Sequence, residues 1–154
     1  MNFQVKIIHG PNLNLLGQRE KSIYGDTQFE DYLQQLKAEF PQCDIDYFQS
    51  NSEGDIVSYI QNINPEKSGI IINPAAFTHT SIAIRDALLA VKIPCVEVHL
   101  SDIYQREKFR HHSYIKDICV CSVFGQGMKG YAIALTRLTE LLESFNLECE
   151  SKLN

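Results

Sequence analysis

The 154-residue chain has no apolar run approaching the roughly 18 residues that a membrane-spanning helix needs, so no membrane span is expected. It is short of positive charge. Fourteen Lys and Arg stand against 19 Asp and Glu, which leaves a net charge of −5. No basic stripe offsets that balance, which argues against nucleic-acid binding as the main task. Cysteine is sparse and unpatterned: five residues, an odd number, with no Cys-x-x-Cys. Free thiols in a reducing cytoplasm, acting mostly as small apolar side chains, are the expectation. Cys119 and Cys121 would share one face of a strand, but two thiolates alone make a poor metal site. There is no repeat, linker or low-complexity segment. The first residues, Met1 to Lys6, enter a strand pattern directly, so no signal peptide is expected.

What is present is an ordinary globular composition, 44% hydrophobic and 21% charged. The length suits a single catalytic domain over 1–154, with a C-terminal tail from about 146. Strand-like runs cover Val5 to His9, Asp44 to Gln49, Gly69 to Asn73, Pro94 to His99 and Ile118 to Phe124. Helical patterns lie between them. Thr27-Gln28-Phe29-Glu30 reads as a capping box, followed by a face of Phe29, Tyr32, Leu33, Leu36 and Phe40. Ile56, Tyr59, Ile60 and Ile63 mark a second helix, and Ser81 to Val91 a third. Tyr131, Ala134, Leu135, Leu138, Leu142 and Phe145 mark a long last one. Strands alternating with helices imply βαβ units and a parallel sheet covered on both faces. Five strands suggest a flavodoxin-like, doubly wound α/β sheet of order 2-1-3-4-5. Ligands of such sheets bind beyond the carboxyl ends of the strands, at the switch between strands one and three.

Polar residues cluster there. The connection from His9 to Gly25 is long for a βα loop, with Arg19 and Tyr24 between Gly17 and Gly25. It reads either as a lid or as a plain surface loop. Asn73-Pro74-Ala75-Ala76-Phe77-Thr78-His79 leads into a helix that Thr80 or Ser81 can cap, and its free N–H groups would favour an anion. His79 there is either a ligand-facing residue or an ordinary surface one. Period two puts Glu97 and His99 on one strand face. They form either an oriented acid catalyst or a simple strand-end ion pair. Arg110 offers a carboxylate clamp or a solvated surface charge. Gly125-Gln126-Gly127-Met128-Lys129-Gly130 matches a dinucleotide fingerprint in spacing. No later strand supplies the acidic residue that such a site needs, so the glycines read as tight turning and close packing. There is no P-loop, H-E-x-x-H or G-x-S-x-G. His79, Asp86, Glu97 and His99 lack standard metal-ligand spacing.

Taken together, these loops resemble one family. Gly10-Pro11-Asn12-Leu13-Asn14-Leu15-Leu16-Gly17, Arg19-Glu20 and Tyr24-Gly25 resemble the start of the type II 3-dehydroquinate dehydratases. So do Gln49-Ser50-Asn51 with Glu53-Gly54, and Asn73 to Ser81 with Arg85-Asp86-Ala87-Leu88. Glu97-Val98-His99-Leu100-Ser101, Phe109-Arg110 and Gly130-Tyr131 complete the set, in the family's order over nearly the whole chain. The chain departs from the pattern at Lys21, where the family often has Pro, and at Ser52, where a His is common.

The resemblance implies a cytoplasmic lyase that converts 3-dehydroquinate to 3-dehydroshikimate by trans-dehydration through an enolate, the third step of the shikimate pathway. It implies no metal or organic cofactor. By position, Tyr24 is expected to remove the C2 proton and Arg19 to favour its phenolate. His99, oriented by Glu97, is expected to protonate the leaving C1 hydroxyl. Asn12 would hold a water at the enolate. Asn73, His79, Arg110 and the Leu100-Ser101 backbone would bind substrate, and Asp86 would act across a subunit contact. The implied assembly is a homododecamer of four trimers, with neither nucleic acid nor membrane as a partner.

Overall fold

Ser68–Asn73 is buried along its whole length, as a Gly-Ile-Ile-Ile run must be when both faces of a strand are covered. The computed structural model describes residues 2–18, 21–24 and 26–151, apart from the side chains of residues 23, 24 and 147–151. Among them, β1 (Phe3–His9), β2 (Cys43–Gln49), β3 (Ser68–Asn73), β4 (Cys95–His99) and β5 (Cys121–Phe124) form one sheet in the order β2-β1-β3-β4-β5. Every neighbouring pair is parallel. This is the flavodoxin-like architecture expected from the alternating pattern.

The helices are α1 (Lys21–Tyr24), α2 (Phe29–Glu39), α3 (Glu53–Gln61), α4 (Ile82–Val91) and α5 (Lys129–Ser151). Phe29, Leu33 and Leu36 of α2 join Leu135, Leu138 and Leu142 of α5 against Val5, Ile7, Val96 and Val98. On the other face, Ile56 and Ile60 of α3 and Ile84 and Leu88 of α4 pack on Ile8, Ile70 and Ile72. Alternating strand residues thus feed two cores. α5 takes in most of the segment read as a tail.

Three local expectations are corrected. Gln28, not Thr27, is the N-cap of α2, and no side chain caps it. The helix starts too late for the threonine to reach its orphan N–H groups. β5 begins at Cys121 rather than Ile118, because the Ile115 carbonyl accepts the N–H groups of both Ile118 and Cys119 and turns the chain. Cys119 is therefore off the strand and does not share a strand face with Cys121. Its Sγ lies 3.7 Å from that of Cys95 instead. Of the two capping candidates before α4, Ser81 is the cap, accepting the Ile84 N–H at 2.9 Å. Ser52, the departure from the family pattern, caps α3 through the Asp55 N–H at 3.3 Å.

The switch point between β1 and β3 is drawn tight. The Gly10 N–H donates to the Asn73 carbonyl at 2.9 Å. A Cβ at position 10 would stand 2.1 Å from the Pro74 carbonyl oxygen, so only glycine fits. This close approach sets the floor of the cleft above the strand ends.

Candidate active site

Above the carboxyl ends of β1, β3 and β4 lies a cleft of about 240 Å³, polar over much of its lining. Asn12 and Leu13 follow β1 and form one side. Asn73, Ala76 and His79 form another, and His99 to Ser101, Arg106 and Arg110 close it. The backbone is held in unusual conformations here: Asn12 has φ 69° and Ala75 φ 53°. Each is pinned by a hydrogen bond at an asparagine oxygen. The Asn12 N–H donates to Asn51 Oδ1 at 2.9 Å, and the Ala75 N–H to Asn73 Oδ1 at 3.1 Å.

At the end of β4, His99 Nε2 donates to Glu97 Oε1 at 2.8 Å. This leaves Nδ1 as the ring atom able to meet a ligand. The ring stacks on Phe124, its partner in the β4–β5 register, with centroids 5.3 Å apart and planes 4° from parallel. Glu97 is fully buried. Burial raises the pKa of its carboxyl. The hydrogen bond and charge of His99, and then the hydroxyls of Ser113 and Ser122, outweigh that and hold it below the usual carboxylate range. Glu97 is thus an anion inside the protein, and His99 has a fixed counter-charge beside it.

His79 Nδ1 donates to the His112 carbonyl at 2.7 Å. Burial pushes its pKa down, against the opposing pull of that hydrogen bond, and the charges of His99 and Arg110 push the same way as burial. A neutral ring with its proton on Nδ1 presents Nε2 as an acceptor, suited to a ligand hydroxyl. Arg110 Nε donates to Glu107 Oε2 at 2.9 Å, which fixes one edge of its guanidinium.

Most of the residues selected from sequence therefore meet in one place: Asn12, Asn73, His79, His99, Leu100, Ser101 and Arg110 line the cleft, with Glu97 behind His99. Asp86 does not join them. It is exposed on α4 and outside the cleft lining. Arg19 lies outside the described residues. Tyr24 is described only as backbone, at the end of α1. Among the described residues no three His, Cys, Asp or Glu side chains gather as metal ligands.

Some contributors escaped the sequence reading. Arg106 and Ile103 line the cleft from the loop after β4. Their signal was position alone, just beyond a strand end. Ser122 hides in an apolar strand, yet it sits beside Glu97 in the β4–β5 register. His9 was read only as the end of a strand. It is fully buried, and burial holds its pKa down at about 3. The glycine run after β5 is a turn, not a phosphate cradle. Gly125 and Gly127 take φ of 70° and 56°. They donate their N–H groups to the carbonyls of His99 and Leu100 at 3.2 and 3.0 Å.

A histidine–carboxylate pair at a sheet edge, facing a cleft with two guanidinium groups, defines an acid–base site for a small anionic ligand on a flavodoxin-like fold. The family model described as Dehydroquinase class II matches residues 3–139. The 3-dehydroquinate dehydratase of Sulfurovum sp. (strain NBC37-1) is 52% identical over 141 residues, 90% of this chain and 87% of that protein. The 3-dehydroquinate dehydratase of Acaryochloris marina (strain MBIC 11017) is 52% identical over 142 residues, 91% of this chain and 95% of that one. The crystal structure of type II dehydroquinase from Butyrivibrio crossotus DSM 2876 superimposes with a TM-score of 0.85 at 42% identity, covering 90% of this chain and 98% of that one. The chain belongs to the class II dehydroquinase family.

Proposed function

We propose that this protein is a 3-dehydroquinate dehydratase, which removes water from 3-dehydroquinate to give 3-dehydroshikimate in the shikimate pathway. The observation that carries the reading is the His99–Glu97 pair, 2.8 Å apart, with His99 lining the polar cleft above the strand ends. The whole chain, 1–154, acts as one catalytic unit.

In this scheme the Tyr24 phenolate takes the C2 proton. A free tyrosine has a pKa of about 10, so ionisation near neutral pH needs help. The Arg19 guanidinium supplies it by favouring the charged form. The electron pair left at C2 moves into an enolate, whose oxygen is stabilised by a water held at Asn12. The enolate then expels the C1 hydroxyl, and His99, protonated at Nδ1, gives that oxygen its proton as water leaves. Glu97 keeps the ring oriented and balances its charge. Base and acid come from different elements, α1 and the end of β4, so they can work on opposite faces of the ring, as a trans elimination requires. Arg110 holds the substrate carboxylate. Asn73, His79 and the Leu100-Ser101 backbone hold its hydroxyls. No electron transfer occurs, and the scheme calls for no cofactor.

The reading extends to assembly and location. Asp86 sits on α4 near the exposed apolar side chains of Ile82 and Leu89, a surface suited to a neighbouring subunit. A homododecamer of four trimers would bring Asp86 to a neighbour's site. A cytoplasmic location fits Cys43, Cys95, Cys119 and Cys121 remaining free thiols.

Proton NMR tests the reaction. A mixture of the protein and 3-dehydroquinate is expected to develop the vinyl proton at C2 of the product. A folded protein that gives no such signal would overturn the proposal, as would substrate trapped on a lysine by borohydride. Solution mass tests the assembly.

A further inference from the structure

The His99–Glu97 pair is held from behind by two hydroxyls. Ser113 Oγ donates to Glu97 Oε1 at 2.6 Å, and Ser122 Oγ donates to Oε2 at 2.7 Å. The direction at Ser113 is fixed by its other bonds. Its oxygen accepts the backbone N–H groups of Ile115 at 3.3 Å and Lys116 at 3.2 Å, so its one proton goes to the carboxylate. Ser122 stands beside Glu97 in the sheet register, and its oxygen makes no other hydrogen bond among the described residues. With His99 Nε2, three donors converge on a carboxylate that has no contact with solvent.

We infer that Ser113 and Ser122 are positioning residues for the acid: they clamp Glu97 as an anion and so fix the His99 ring with Nδ1 toward the cleft. The inference rests on the dehydratase reading for its kinetic consequence, but the clamp is a property of the folded protein. A carboxylate accepting one bond would be free to rotate or to take the proton back from His99. Accepting three, with both oxygens committed, it cannot rotate without breaking a buried hydrogen bond, and taking the proton from His99 would weaken the bonds from both serines. Ser113 also ties the turn at 113–116 to Glu97, so the segment that carries the clamp is folded by the same hydroxyl.

Ser122→Ala is the cleaner test, because among the described residues the Ser122 hydroxyl bonds only the carboxylate. With one donor gone, Glu97 gains proton affinity and takes up its proton at higher pH. The other charged or titratable groups facing the pair stay in place: Cys95 on β4, Lys116 in the turn, His79 after β3, and Arg110 across the cleft. With the His99 ring less firmly held, kcat is expected to fall about tenfold, with KM within about twofold. Ser122→Thr, which keeps the hydroxyl, is expected to restore kcat. The His99 Nε2–H resonance in proton NMR is expected to shift in the Ser122→Ala protein and to return in the Ser122→Thr protein. Unchanged kcat in a folded Ser122→Ala protein would overturn the inference. So would a lower kcat with an unmoved Nε2–H resonance, the mark of a merely structural serine. If the wild type leaves 3-dehydroquinate untouched, the dehydratase reading fails, and the NMR shift alone decides the clamp: an unmoved resonance rejects it.

Discussion

The Tyr131 hydroxyl lies 2.6 Å from His9 Nε2, joining the last helix to the end of the first strand. Asn73 Nδ2 donates to the same hydroxyl oxygen at 3.4 Å, and Tyr47 meets His9 Nδ1 at 3.2 Å. The Tyr131 proton then goes to Nε2, and the His9 proton on Nδ1 goes to Tyr47. A cleft residue, Asn73, is thereby wired into the core.

This buried ring makes the fold acid-sensitive. Burial holds the folded His9 pKa at about 3, below the ordinary 6.5. The unfolded chain therefore binds an extra proton between those values, and stability rises with pH there. His9's contribution is complete above pH 6.5 and is lost as pH falls toward 3, at up to about 1.4 kcal/mol per pH unit. Urea midpoints between pH 7 and pH 4 are expected to show it. His9→Phe is expected to cost about 1–3 kcal/mol at pH 7, by orphaning the tyrosine hydroxyls, and to flatten the slope. An equal slope in wild type and variant would contradict this.

Gly10 is expected to tolerate no side chain. Its Cβ would collide with Pro74 backbone, which has no flexible end to yield. Gly10→Ala should cost about 3 kcal/mol or more in thermal or urea unfolding. A wild-type melting temperature would show that the two loops are looser than this geometry.

Much of the fold was legible because a parallel sheet writes plainly. β3 reads as an unbroken apolar run since both its faces are covered, and β4 places Glu97 and His99 two apart on one face. Boundaries were harder. Nothing local reveals that the Ile115 carbonyl captures two N–H groups and delays β5 to Cys121. The cleft was legible where residue type and strand end coincided, as at Asn73 and His99. It was not legible at Ser122, whose role comes from a cross-strand neighbour, nor at His9, whose partners lie 38 and 122 residues away.

The proposed base gives a paired expectation. Tyr24→Phe removes the only proton acceptor assigned to C2, and Arg19→Ala removes the charge that favours its phenolate. Each is expected to lower kcat by about 100- to 10,000-fold, measured as initial rates at saturating substrate. Wild-type turnover in both would defeat the assignment.

Arg110 is assigned to binding rather than chemistry. Arg110→Ala gives up charged hydrogen bonds worth about 1.5–3 kcal/mol, a rise in KM of roughly 10- to 100-fold with a smaller change in kcat. An unchanged KM would move the carboxylate elsewhere in the cleft.

The most direct test is the initial rate of enone absorbance when 3-dehydroquinate is added to purified protein, with His99→Ala alongside. The account predicts a steady rise with the wild type and a rate about 100- to 10,000-fold lower with the variant. Equal rates from the two proteins, or no rise from a folded wild type, would contradict it.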